Sequence, residues 1–197
     1  MSSPADTDIP DDVLMRRYTR KGDVAAMDVL VRRHSQMLLL FLRGWFTEPS
    51  EAEDAMHDVW LKVFSRPGAY RDDNFRGWLL RIARNLAIDR FRERKPDLSL
   101  DAPVGDLPDS DSAALVDLLP SSAPSPDVAA ASNDALRVIH GEIQKLPPSQ
   151  REVFLLRTVS DMSFKDIAKT LGIPLNTALG RMHYAVLRLR EVLPNVL

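Results

Sequence analysis

Apolar residues recur three and four positions apart through most of the first 95 residues and again after residue 134, with a polar, proline-punctuated stretch between. The period is that of an amphipathic helix, and no stretch sustains the two-residue alternation of a strand. A first helix is expected from about Asp11 to Lys21, where Gly22 ends it. A second begins near Asp23 and carries Ala26, Leu30, Met37, Leu40 and Phe41 on one stripe, with Gly44 near its end. Pro49-Ser50 opens a third, Glu51 to Ser65, whose first turn holds acids that suit the helix dipole. Pro67-Gly68 breaks the chain. A fourth helix runs from Asn74 or Phe75 to Arg94, and Pro96 bars its continuation.

Beyond the connector, a helix from Asp134 or Ala135 ends near Leu146, before Pro147-Pro148. Ser149 is expected to cap the next, Gln150 to Val159. Ser163-Phe-Lys-Asp166 is a capping-box pattern that starts a short helix ending at Leu171-Gly172, and Pro174 restarts helix at once. Helix, tight glycine-containing turn and longer helix form the helix-turn-helix pattern. The fold class is therefore all-α: two small helical domains, residues 1–95 and 135–197, joined by a flexible acidic linker over 96–134, with the helix-turn-helix in the second.

At ~100° per residue, Ala178, Met182, Ala185, Val186 and Leu189 of the last helix share one arc, with Leu179 at its edge. Thr177, Arg181, Tyr184 and Arg188 share the opposite arc. Guanidiniums suit both phosphate and the O6/N7 edge of guanine, so this arc is read as DNA-binding; a merely solvated face is the plainer alternative. The fourth helix divides similarly. Phe75, Trp78, Leu79, Ile82, Ala83 and Leu86 face one way, and Arg81, Arg84, Asn85 and Arg92 the other. Aromatics near it could stack on unpaired bases, although Phe75 and Trp78 taken alone read as core.

The net charge of −2 conceals a segregation: +2 over residues 1–95, −8 over 96–134 and +4 over 135–197. The connector holds six of the 14 prolines and no Lys or Arg. It reads as a solvated tether, with an apolar patch from Ala113 to Leu119. The chain has no cysteine, which excludes disulfides, thiol nucleophiles and Cys-based zinc sites, and its four histidines form no clustered pair. It lacks a Gly-rich phosphate loop, His-Glu-x-x-His and G-x-S-x-G, so an enzyme is not expected. No apolar run approaches the roughly 18 residues of a membrane span, no signal peptide is visible, and the expected location is the cytoplasm.

Three stretches then carry a family likeness: Glu51-Ala-Glu-Asp-Ala-Met-His-Asp-Val-Trp-Leu-Lys-Val-Phe64, Phe75-Arg-Gly-Trp-Leu-Leu-Arg-Ile-Ala-Arg-Asn-Leu-Ala-Ile-Asp89, and Leu146-Pro-Pro-Ser-Gln-Arg-Glu-Val-Phe154 followed by the helix-turn-helix. In this order they resemble the bacterial extracytoplasmic-function (ECF) sigma factors of RNA polymerase, over about residues 13–95 and 135–193. The resemblance implies a promoter-specificity subunit without catalytic residues, cofactor, metal or small-molecule substrate. Its partners would be core RNA polymerase and promoter DNA, and an anti-sigma factor is a further partner it allows. The first domain would bind polymerase through Glu53, Asp54, His57 and Asp58. It would read and melt the −10 element through Tyr70, Arg71, Asp72, Asp73, Asn74, Trp78, Arg81, Arg84, Asn85, Asp89 and Arg92. The second would read the −35 element through Asn176, Thr177, Gly180, Arg181, Tyr184 and Arg188. The linker would thread toward the polymerase cleft. His57 stands where the family has Gln, the 70–75 loop is one residue short, and Leu179 replaces a basic residue. A stand-alone helix-turn-helix regulator is the competing reading; it leaves the 51–95 block and the linker without a purpose.

Overall fold

Asp11 and Asp12 in a first turn, and Arg20 and Lys21 in a last, place charge where the peptide dipoles favour it, and α1 spans Asp11–Lys21. Gly22 ends it in the left-handed region at φ 64°, its N–H donating to the Tyr18 carbonyl at 2.9 Å. The Asp23 carboxylate then accepts from the Ala26 N–H at 3.1 Å and opens α2, Val24–Arg43. α3 spans Pro49–Ser65 with proline in its first turn, and a 3₁₀ turn at Pro67–Ala69 follows. α4 spans Phe75–Arg94, α5 Asn133–Lys145, α6 Pro148–Thr158, α7 Phe164–Leu171 and α8 Leu175–Val192. These belong to a computed structural model that describes residues 9–71, 74–94 and 133–192. The acidic connector, Asp72 and Asp73 lie outside the described residues.

The expected helices are all present, with two local differences. Ser149 is not the cap of α6: the helix begins two residues earlier than expected, at Pro148, and Ser149 is buried in its first turn. The cap position falls to Pro147, whose side chain has no acceptor, so no side-chain cap forms. Along α2, Leu38 and Leu42 are fully buried beside Leu30 and Phe41, whereas Leu40 is exposed. The apolar stripe is thus rotated from the expected one.

The helices form two packed sets. α1 to α4 surround Leu14, Met15, Leu30, Phe41, Val59, Val63 and Leu79, and α6 to α8 pack on one another around Val153, Leu156, Ile167 and Met182. One buried apolar cluster runs through both sets without a break. α4 shows the consequence: it packs on α7 as well as on α2 and α3, and Leu80, Ala87 and Ile88 are buried along with Phe75, Trp78, Leu79, Ala83 and Leu86 of its expected stripe, Ile82 being half-buried. A smaller cluster of Leu146, Ala185 and Leu189 ties α5 to α8. Among the described residues no helix is long and apolar enough to cross a membrane.

One polar knot stabilises the first set. The Asp11 carboxylate accepts from Arg33 Nη1 at 2.7 Å and meets buried His34 Nε2 at 2.7 Å. Burial alone would raise the Asp11 carboxyl, but the hydrogen bonds and charges of His34 and Arg33 outweigh it and hold the group below its ordinary value of 3.8. A depressed carboxyl adds stability above the unfolded value and loses it as pH falls through the folded one. Asp11→Asn is therefore expected to cost about 1.5–3 kcal/mol near neutral pH. Its gap to the parent chain should close in strong acid, as read by urea denaturation across a pH series.

Candidate nucleic-acid interface

Asn74 Oδ1 accepts from the Gly77 N–H at 2.9 Å and so starts α4, with Asn74 exposed at its mouth. The Tyr70 hydroxyl bonds the Asp12 carboxylate, and its ring lies 5.3 Å from Trp78 and 5.9 Å from Phe75. Phe75 in turn stands 5.3 Å from His34. Trp78, at 6% exposure, is a wall of this aromatic cluster, not a surface ring. Arg71 is exposed just before α4. Along α4, Arg81, Asn85, Asp89 and Arg92 are exposed together, four basic or polar groups on one side. Arg84 is different: its Nε donates to Glu152 Oε2 of α6 at 2.7 Å.

On the other set, Ser163 caps α7 by accepting from the Asp166 N–H at 3.2 Å, and its hydroxyl donates to the Asp166 carboxylate at 2.6 Å. The capping box thus closes through side chains. Gly172 takes the left-handed turn at φ 66°, and the chain enters α8 with the Pro174 carbonyl accepting from the Ala178 N–H at 3.1 Å. The geometry is helix-turn-helix. Asn176 and Arg188 are exposed on α8, and Thr177 and Tyr184 are half-buried, with the Tyr184 ring 5.6 Å from His183. Gly180 and Leu179 are buried. Arg181, its side chain 12% exposed, turns inward to Glu152 Oε1 at 3.2 Å.

On α3, Glu53, Asp54 and His57 are exposed, while Asp58 is half-buried and held by Arg90 of α4. Leu61 and Phe64 extend the same side, at 61% and 39% exposure, with Phe64 stacked on Trp60. Sequence reasoning passed over Leu61 and took Phe64 only as one of the aromatics near α4 that could stack on bases; the signal for the pair was an apolar residue at i+4 and i+7 from His57 on an otherwise polar arc. It also passed over Glu152, which brings Arg84 and Arg181 to one carboxylate.

Residues 30–96 match the Sigma-70 region 2 family and residues 136–189 the Sigma-70, region 4 family. The ECF RNA polymerase sigma factor SigW of Bacillus subtilis is 28% identical over 178 residues, 90% of this chain and 94% of that one. The RNA polymerase sigma-H factor of Pseudomonas aeruginosa is 29% identical over 191 residues, 95% and 93% of the two chains. The chain belongs to the ECF sigma factors. Its fold is also that of CnrH in its complex with the cytosolic domain of CnrY (TM-score 0.66, 21% identity, 96% of this chain and 100% of that one). RpoE of Bartonella quintana, in complex with the anti-sigma factor NepR, gives TM-score 0.64 at 21% identity over 87% of this chain and 98% of that one. In this sigma factor the region 2 match starts inside α2 and ends past α4, so it contains both the α3 surface and the basic side of α4. The region 4 match contains the Glu152 cluster and the helix-turn-helix.

Proposed function

We propose that this sigma factor binds core RNA polymerase and directs promoter-specific initiation, reading and melting the −10 element with α4 and reading the −35 element with α8. The observation that carries this is the ordered pair of matches, region 2 then region 4, on a chain co-extensive with relatives named as RNA polymerase sigma factors. The exposed Arg81, Asn85 and Arg92, with Arg71 and Asn74 at the helix mouth, are assigned to the −10 strand, where a basic groove and polar edges suit unstacked bases. Tyr70 and Trp78 support that surface from beneath, Arg84 joins it when released from Glu152, and Asp89 completes its edge. Asn176, Thr177, Arg181 and Tyr184 are assigned to the −35 groove, Gly180 to close approach of the α8 backbone, and Arg188 to phosphate. Glu53, Asp54 and His57, with Leu61 and Phe64, offer polymerase a mixed acidic and apolar surface, and Asp58 orients Arg90 behind it. The protein works in the cytoplasm as a non-enzymatic subunit, and an anti-sigma factor is a further partner this reading allows.

Run-off transcription with core polymerase on a pooled genomic template tests the reading. New start sites that require this chain are expected. If core plus this chain starts nothing that core alone does not, the reading fails; tight duplex binding without polymerase would then favour the stand-alone regulator.

A further inference from the structure

The loop that carries Tyr70 is laid against α1, a helix that ends before the region 2 match begins at residue 30. The Tyr70 hydroxyl bonds the Asp12 carboxylate, and Thr19 Oγ1 lies 3.4 Å from the Pro67 carbonyl, so one side of α1 runs along the 67–70 turn. Away from that side the helix is basic. Arg16, Arg17, Arg20 and Lys21 are all exposed. At about 100° per residue, with Arg16 as zero, Asp12 and Thr19 stand at about −40° and −60°. On the same scale Arg20 stands at about +40°, Arg17 at about +100° and Lys21 at about +140°. The charges therefore fan out from the edge that touches the turn. Arg66 and Arg71, exposed on either side of the turn, carry positive charge on toward Asn74 and α4. The helix dipole accounts for cations in the last turn, Arg20 and Lys21, but not for Arg16 and Arg17 before it. The carboxylates of α1 itself are engaged elsewhere, Asp11 by Arg33 and His34 and Asp12 by Tyr70.

Resting on the function proposed above, the chemistry of this arc selects one kind of ligand. Melting the −10 element leaves an unpaired strand whose phosphates continue past the bases held by α4. Along a strand of duplex these charges recur about every 3.4 Å. With 11 residues at about 1.5 Å each, α1 is long enough to span several of them. A row of exposed cations in continuity with Arg71 suits that regular polyanion, and guanidinium and ammonium both pair with phosphate. We infer that the exposed side of α1, with Arg66, is a phosphate track that extends the −10 surface and holds the backbone of the melted strand beyond the bases that are read. Contacts of this kind carry no sequence information; they position the strand and make its binding salt-dependent. The Asp12–Tyr70 bond ties this track to the reading loop, so a strand placed on one is placed in register with the other.

The test uses holoenzyme made with the full chain and two promoter forks. In the short fork the unpaired −10 strand stops at the end of the element; in the long fork it runs several nucleotides past it. Arg17→Gln, Arg20→Gln and Lys21→Gln together neutralise the arc without touching Asp12 or Thr19, whereas Arg17→Lys with Arg20→Lys keeps its charge. On the long fork the neutralised variant should show a slope of log affinity against log salt shallower by about 2, at about 0.7 per contact on a single strand. On the short fork it should match the parent chain. The lysine variant should match the parent on both forks, because a phosphate contact of this kind needs charge and not the planar guanidinium. Sequence preference at −10 and helical ellipticity should be unchanged throughout. Equal slopes for parent and neutralised variant on the long fork, or the same loss on both forks, overturns the track. Weaker binding to core polymerase with an unchanged DNA slope also overturns it, and turns the arc toward a protein surface instead. In each of these outcomes the functional reading stands. A parent holoenzyme that binds neither fork better than core polymerase alone overturns that reading itself.

Discussion

Trp78→Ala is expected to remove about 3–5 kcal/mol of stability, the usual cost of deleting a large aromatic from a packed core. The ring is 6% exposed and sits 5.3 Å from Tyr70 and 5.9 Å from Phe75, so its loss opens a cavity that these two aromatic neighbours cannot collapse into. Asn85 lies two turns further along α4, is exposed, and meets Arg84 only through a 3.4 Å surface contact. Asn85→Ala should leave stability within about 0.5 kcal/mol while lowering the yield of melted promoter. Urea denaturation of both variants reads the first quantity, and permanganate reactivity of −10 thymines in the holoenzyme complex reads the second. A stable Trp78→Ala chain with lost melting would move Trp78 from the core to the strand; full melting by Asn85→Ala would remove Asn85 from the interface.

Arg181→Ala is expected to relax −35 sequence preference, whereas Arg188→Ala should weaken binding to all sequences alike. A bidentate arginine–guanine contact is worth about 1–3 kcal/mol of discrimination, roughly 5- to 150-fold. Loss of one phosphate contact lowers the salt slope by about 1. Arg188 is exposed and further from the start of α8, in keeping with a backbone role. Arg181 is 12% exposed and bonded to Glu152 at 3.2 Å, so reaching a base requires it to leave that carboxylate. Removing Arg181 also weakens the partnering of a buried carboxylate, so Arg181→Lys is the sharper variant: it keeps the charge and loses the planar fork. Binding of the holoenzyme to a randomised −35 library at two salt concentrations separates these effects. Unchanged preference in both Arg181 variants would make it a structural partner of Glu152 alone.

The helices were legible because their signals are local. Gly22 and Gly172 take the left-handed stops expected of them, Ser163 caps where the pattern placed it, and Ala178, Met182, Ala185 and Leu189 of the apolar arc of α8 are buried, with Val186 half-buried. The basic side of α4 was legible for the same reason. What the residues did not reveal is how the halves meet. Glu152 reads as one polar position on an amphipathic helix, and its partner Arg84 stands 68 residues away with the whole acidic connector between. Periodicity carries no information about a contact of that range. Hence Arg84 and Arg181 looked like open DNA ligands, and the burial of Leu80, Ala87 and Ile88 was not expected.

Because the apolar cluster is continuous from α1 to α8, whatever parts the two sets must hydrate Trp45, Leu155 and their neighbours. Such hydration raises heat capacity, and the hydrophobic share of the contact between the two sets therefore weakens on cooling. Arg151 adds to the temperature response: burial brings its guanidinium down to about 10, still cationic near neutrality, and the penalty for keeping an ion out of water falls as temperature rises. Both contributions run the same way, so the contacts between the two helical sets hold most firmly when warm and least firmly in the cold.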